Sequence, residues 1–70
     1  MKKIDLHGVR HKDVSDLITR SCTEGDMPFV VITGNSNQMK RIVAAIAKSF
    51  NLSVRDTIDN PGRIVVYESR

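Results

Sequence analysis

The sequence predicts a small α+β fold: an α/β two-layer sandwich in the order β-α-β-α-β-β, with a four-stranded mixed sheet and two helices on one face. Three observations carry this expectation. Phe29 to Ile32 and Ile64 to Tyr67 are uninterrupted apolar runs of strand length, the pattern of inner strands in a sheet. Two longer segments repeat apolar residues at helical spacing. Stretches rich in Gly, Pro and Asn separate these segments.

The elements follow in order. Lys2 to Leu6 alternates, with Ile4 and Leu6 apolar and Lys3 and Asp5 polar, so it reads as a half-buried strand that Gly8 breaks. From Lys12 onward, Val14, Leu17, Ile18 and Cys22 share one helical side, while Asp13, Asp16, Arg20 and Glu24 take the other. Asp16 and Arg20 are spaced to pair across one turn. Gly25 ends this helix, and Asp26 and Pro28 prevent its return. Phe29 to Ile32 is then a central strand. Met39, Ile42, Val43, Ile46, Ala47 and Phe50 form the apolar stripe of a second helix, with Asn35, Ser36 or Asn37 as its cap. Leu52 and Val54 alternate with Ser53 and Arg55 as an edge strand, Asp59-Asn60-Pro61-Gly62 is a turn, and Ile64 to Tyr67 is another inner strand.

A helix joins the first two strands, so they are expected parallel with a right-handed crossover, and the last two form a hairpin. Two helices cannot cover both faces of four strands and still share a core, which puts both on one face. Phe29 and Val31, with Val65 and Tyr67 or their alternates, are then expected partly to face away from the helices. Such an apolar patch suits self-association, as in a homodimer, or a protein partner docking on the open sheet face.

Seventy residues allow one small domain, residues 1–70, with a thin core. The single cysteine, Cys22, excludes an internal disulfide framework and suits a reducing compartment. The start MKKIDLHG has no apolar stretch of signal-peptide length, and no run approaches the roughly 18 apolar residues of a membrane span, so a cytoplasmic protein is expected. A net charge of +3 permits phosphate binding without demanding it. Three aromatic residues are too few for a base-stacking platform. No glycine-rich dinucleotide fingerprint appears, which leaves little for a small-molecule phosphate sensor.

The polar groups gather where the topology directs them. The carboxyl ends of two parallel strands open at one sheet edge, so the loops from His7 to His11 and from Gly34 to Asn37 are expected side by side. Both lead into helix N-termini, whose unpaired N–H groups favour a phosphate or carboxylate. Arg10 and Lys12 lie in or beside the first loop, and Lys40 and Arg41 in the first turns of the second helix. Two cations early in a helix oppose its dipole, a small hint that an anion compensates. Asp5 and His7, two apart on a strand, are expected on one face about 7 Å apart at the backbone. A carboxylate there can fix the tautomer of the imidazole, which can then move a proton on a phosphodiester. Gly8 lets a ligand approach closely. His7 and His11 have zinc spacing only on a helix, and the third candidate ligand, Cys22, lies on the core stripe, so no dedicated metal site is expected. A magnesium ion shared with phosphate through Asp5 is the remaining cofactor reading.

With these residues in view, the chain resembles the Smr (small MutS-related) domain family. Ile4-Asp5-Leu6-His7-Gly8 looks like the family's leading L-D-L-H-G motif, and Val31-Ile32-Thr33-Gly34 with the helix after it looks like the second, T/H-G-x-G. The likeness spans nearly the whole chain. It implies a fold similar to the C-terminal domain of bacterial translation initiation factor three, with the last strand inside the sheet. It also implies binding of structured DNA or RNA, with nicking or RNA cleavage as the associated endonuclease activity and DNA repair or recombination as a setting. Carried over by position, Asp5 and His7 are the acidic and histidine members of the first motif, and Gly34 is the first glycine of the second. Gly8, Arg10, His11, Lys12, Gly34, Asn35, Ser36, Lys40 and Arg41 are the expected phosphate contacts. Where the family carries G-x-G with a basic middle residue, this chain reads Gly34-Asn35-Ser36. The basic residue and second glycine are missing, which bears on cleavage more than on binding. No MutS-type ATPase domain accompanies it, so a stand-alone Smr unit is expected. The alternative is a non-catalytic module that docks on another protein through the open sheet face.

Overall fold

The computed structural model describes residues 2–25, 27–57 and 61–68. The elements are β1 (Lys2–Asp5), α1 (His11–Glu24), β2 (Phe29–Ile32), α2 (Asn37–Ser49), β3 (Leu52–Asp56) and β4 (Arg63–Glu68). The four strands form one mixed sheet in the order β1-β2-β4-β3. β1 runs parallel to β2, with Asp5 beside Ile32, and β4 is antiparallel to both of its neighbours. The last strand therefore lies inside the sheet, and β1 and β3 are its edges.

One face of the sheet meets both helices. Leu6, Phe29, Val31, Ile64 and Val66 pack with Val14, Ile18 and Cys22 of α1 and with Met39, Val43 and Ala47 of α2 in a single buried cluster. Phe29, Val31, Val43 and Val66 are fully buried. The alternate residues of the strands point to the other side, because side chains alternate along a strand. That side carries Lys3 and Asp5, Val30 and Ile32, Val65 and Tyr67, and Ser53 and Arg55, in the register of the paired strands.

The helices begin and end for local reasons. Ser36 caps α2: its Oγ accepts the N–H of Met39 at 3.1 Å, which selects it among the three cap candidates. α1 starts at His11 behind Arg10, whose side chain makes no capping bond, and stops at Gly25 in a left-handed conformation. Ser21, buried on α1, donates its hydroxyl to the carbonyl of Leu17 at 3.1 Å. The Lys2 ammonium meets the Glu24 carboxylate at 2.8 Å and ties the first strand to the end of α1. That hydrogen bond and charge hold the Glu24 carboxyl below the usual carboxylate range.

Several expectations change. Phe29 and Val31 face the helices, so the outward apolar residues are Val30, Ile32, Val65 and Tyr67. Phe50 continues the stripe in sequence but follows the last helical residue and is 37% exposed, as is Leu17 on α1. β1 ends at Asp5, and His7 lies in a turn rather than on the strand. The Asp59-Asn60-Pro61-Gly62 turn is described only at Pro61 and Gly62; Asp59 and Asn60 lie outside the described residues, as does Asp26. Among the described residues, no helix is long and apolar enough to cross a membrane.

Candidate functional site

Parallel pairing of β1 with β2 sets the first two loops beside each other. The N–H of Leu6 donates to the carbonyl of Ile32 at 3.0 Å, extending the ladder to the point where both strands end. Past it the chain turns at once. The carbonyl of Leu6 accepts the N–H of Val9 at 3.0 Å, leaving His7 and Gly8 at the tip. Gly8 has φ +80, and a Cβ there would meet nothing within 4 Å. Glycine is needed at this position for its backbone conformation, whatever else the open space admits.

Asp5 has a definite role in this turn. Its Oδ1 accepts the backbone N–H of His7 at 2.8 Å. The expectation that the carboxylate orients the imidazole is corrected: the bond goes to the amide, because the chain leaves the strand after Leu6 and carries the ring away from the strand's alternation. The acid holds the turn that presents His7, and the imidazole is exposed to solvent. His11 is the first residue of α1, so His7 and His11 do not share a helical turn.

The second loop is organised from across the sheet. The N–H groups of Thr33 and Gly34 both donate to the carbonyl of Gly62, at 2.9 and 3.0 Å. The Thr33 hydroxyl lies 3.0 Å from the carbonyl of Gly34 and 3.3 Å from that of Gly62. Gly34 has φ +66. β4 starts at this rim because it runs antiparallel to β2, so Arg63 pairs with Ile32. Ile32, Gly34, Asn35, Pro61, Gly62 and Arg63 line an open hollow of about 410 Å³. Arg63 was not among the residues expected at the site. Its position next to the apolar run and the antiparallel entry of that run at the rim were the signals for it.

Lys40 and Arg41 stand apart from the first loop. They line a groove between α2 and β3, at the far edge of the sheet from β1. Three inter-strand spacings separate those edges, about 14 Å. Lys40 Nζ is 3.9 Å from Asp56 Oδ1, a surface ion pair without a hydrogen bond. One end of the sheet thus carries His7, Gly8, Arg10, His11 and Lys12 on one side, Gly34, Asn35, Ser36 and Arg63 in the middle, and Lys40 and Arg41 beyond.

Among the described residues no group of three or more His, Cys, Asp and Glu side chains gathers. Asp5 offers a carboxylate with one oxygen already accepting an N–H. Cys22 is buried in the core, where burial pushes its thiol up.

No family model matches the chain, and no curated protein or solved structure matches it significantly.

Proposed function

We propose that this chain is an Smr-like domain of the cytoplasm that grips the phosphate backbone of structured DNA or RNA along the rim where β1 and β2 end. One observation carries the reading. The β1–α1 and β2–α2 loops lie side by side, and each leads into the start of a helix of eight or more residues. The exposed cations Arg10 and Lys12 flank one loop, and Arg63 flanks the other. Phosphates contacted this way position a nucleic acid without reading its sequence, which suits recognition by shape.

Recognition ranks ahead of cleavage in this reading. His7, at the tip of the first turn, brings to the rim an imidazole, a side chain suited to general acid or base work. In cleavage here an attacking water or 2′-hydroxyl would give its proton to that imidazole as its oxygen bonds phosphorus, or the departing oxygen would take a proton from it as the old P–O bond breaks, on a turn kept in place by Asp5. The second motif contributes Asn35 and Ser36 in place of a cation and a glycine, and Ser36 is engaged in capping α2.

The test is a mobility-shift assay on nicked, branched and hairpin substrates, with and without magnesium, over a salt series. If three of the five cations Arg10, Lys12, Lys40, Arg41 and Arg63 each neutralise one phosphate, DNA affinity falls about 40-fold between about 50 and 200 mM salt. An affinity that ignores salt refutes the rim. His7→Ala is expected to abolish cleavage and spare binding; equal loss of both assigns His7 a structural role.

The second reading, docking of another protein or a second copy on the open sheet face, rests on Val30, Ile32, Val65 and Tyr67. This patch is narrower than simple alternation implies. Val30 is only 8% exposed, and the Arg55 guanidinium lies 5.8 Å from the centroid of the Tyr67 ring and shields it. Absence of binding to every nucleic acid, with solution mass rising with concentration, favours this second reading.

A further inference from the structure

The groove between α2 and β3 has a composition the rim lacks. Its floor is apolar, made by Ala44, Val54 and Ile64, and Lys40 and Arg41 border it with Asp56 as the opposing acid; Arg55 also lines it, but its guanidinium lies over Tyr67 on the other face of the sheet. Its volume is about 370 Å³, within the range of small-ligand sites. The charges inside it are poorly matched. Asp56 is largely exposed, and at 3.9 Å it leaves the ammonium of Lys40 without a hydrogen-bond acceptor. The Lys40 side chain is only 21% exposed, so most of its length lies against the groove. Arg41 pairs with no acid among the described residues. β3 is also a sheet edge, whose outer N–H and C=O groups have no strand to pair with.

From these features we infer that the groove takes a nucleoside phosphate, its phosphate between Lys40 and Arg41 and its base over Ala44, Val54 and Ile64. A bare phosphate leaves the apolar floor uncovered, and an uncharged nucleoside leaves the cations unmatched. The ligand needs both halves. Asn37, at the helix-start end of the groove, brings a side-chain amide able to hydrogen-bond a base edge. The same moiety is supplied by a free mononucleotide or by an unpaired end of a strand. The inference goes beyond the rim reading and shares only Lys40 and Arg41 with it.

The experiment is a titration of the isotope-labelled chain with adenosine monophosphate, adenosine and inorganic phosphate, followed by amide chemical shifts. The monophosphate is expected to shift residues 37–44 and 54–56, and to bind at least about tenfold more tightly than either half. In a second arm, a hairpin with one unpaired terminal nucleotide is compared with the blunt hairpin. Tighter binding of the overhang assigns the groove to strand ends; equal binding of the two, with the free monophosphate still bound, assigns it to mononucleotides. Ala44→Phe fills the floor and is expected to weaken monophosphate binding at least about tenfold while leaving the blunt hairpin unaffected. Arg41→Glu, an exposed change that the core does not feel, is expected to weaken the monophosphate similarly. Equal affinity for monophosphate and inorganic phosphate overturns the inference, as does binding that survives both substitutions. Blunt-hairpin binding without monophosphate binding overturns the groove and leaves the rim standing; the reverse result does the opposite.

Discussion

Replacing Asp5 separates a positioning carboxylate from a chemical one. The side chain is exposed, and its structural contact is the 2.8 Å bond from the His7 N–H. A hydrogen bond of this kind contributes about 1 kcal/mol net, with the ionised acceptor raising it and solvent exposure lowering it. Asp5→Ala removes the acceptor. In a chain of this size, about 1 kcal/mol corresponds to a fall in Tm of about 4–8 °C. Asp5→Asn keeps an oxygen in the same place at roughly half the strength, so about half of that fall is expected. Thermal melts of the two variants, with amide hydrogen exchange at His7, measure the effect. Exchange at that amide is expected to speed up in the alanine variant and to change little in the asparagine one. Equal destabilisation by both substitutions, or unchanged His7 exchange in Asp5→Ala, refutes the assignment. The functional side has its own outcome. Binding of nucleic acid is expected to survive Asp5→Asn, and if cleavage alone disappears in that variant, the charge itself takes part in the chemistry.

Two further predictions concern the scaffold. Val43→Ala, at a fully buried position of α2, is expected to cost about 2 kcal/mol and lower the urea midpoint by about 1–2 M, while Leu17→Ala, at 37% exposure, is expected to cost less than half as much; equal losses contradict the placement of the core. The Glu24 carboxyl titrates below its ordinary range in the folded chain, so its link to Lys2 stabilises above the unfolded value of about 4.3 and is lost as pH falls through the lower folded value. Glu24→Gln is therefore expected to differ from the unmodified chain at pH 7 and to converge with it at low pH in urea melts, and a difference that grows on acidification reverses the sign of the argument.

Regular elements were legible because their periods are regular. The i, i+3, i+4 stripe through Met39, Val43 and Ala47 identifies α2 and its buried side, and the runs at Phe29 and Ile64 identify the inner strands. An unbroken run, however, carries no alternation, so it does not say which of Phe29 and Val30 faces the helices. Only the pairing of β2 with β4 and the packing of the helices decide that. Phe50 was misplaced for a similar reason. The stripe is continuous there, but the helix closes at Ser49, where the N–H of Phe50 turns back to the carbonyl of Ala47 and the N–H of Asn51 to that of Lys48. The end of β1 had a local signal that alternation masked. An aspartate two residues before a glycine-containing turn can accept the amide that follows it, and Asp5 does so with His7.

The cations of the candidate site show why a motif and a fold answer different questions. The second loop reads Gly34-Asn35-Ser36, without the positive charge expected between two glycines. Counted along the chain, that charge is missing. Counted in space, Arg63 lines the same hollow as Gly34 and Asn35, since β4 enters the sheet beside β2 at this end. The carbonyl of Gly62 also holds the N–H groups of Thr33 and Gly34, so the loop and the arginine are fixed to each other through backbone bonds. Sheet order therefore supplies a cation that the loop does not encode. The positive charge at this place depends on the pairing of β2 with β4 more than on the identity of residue 35, and a change that loosens that pairing moves the charge away without touching either loop motif.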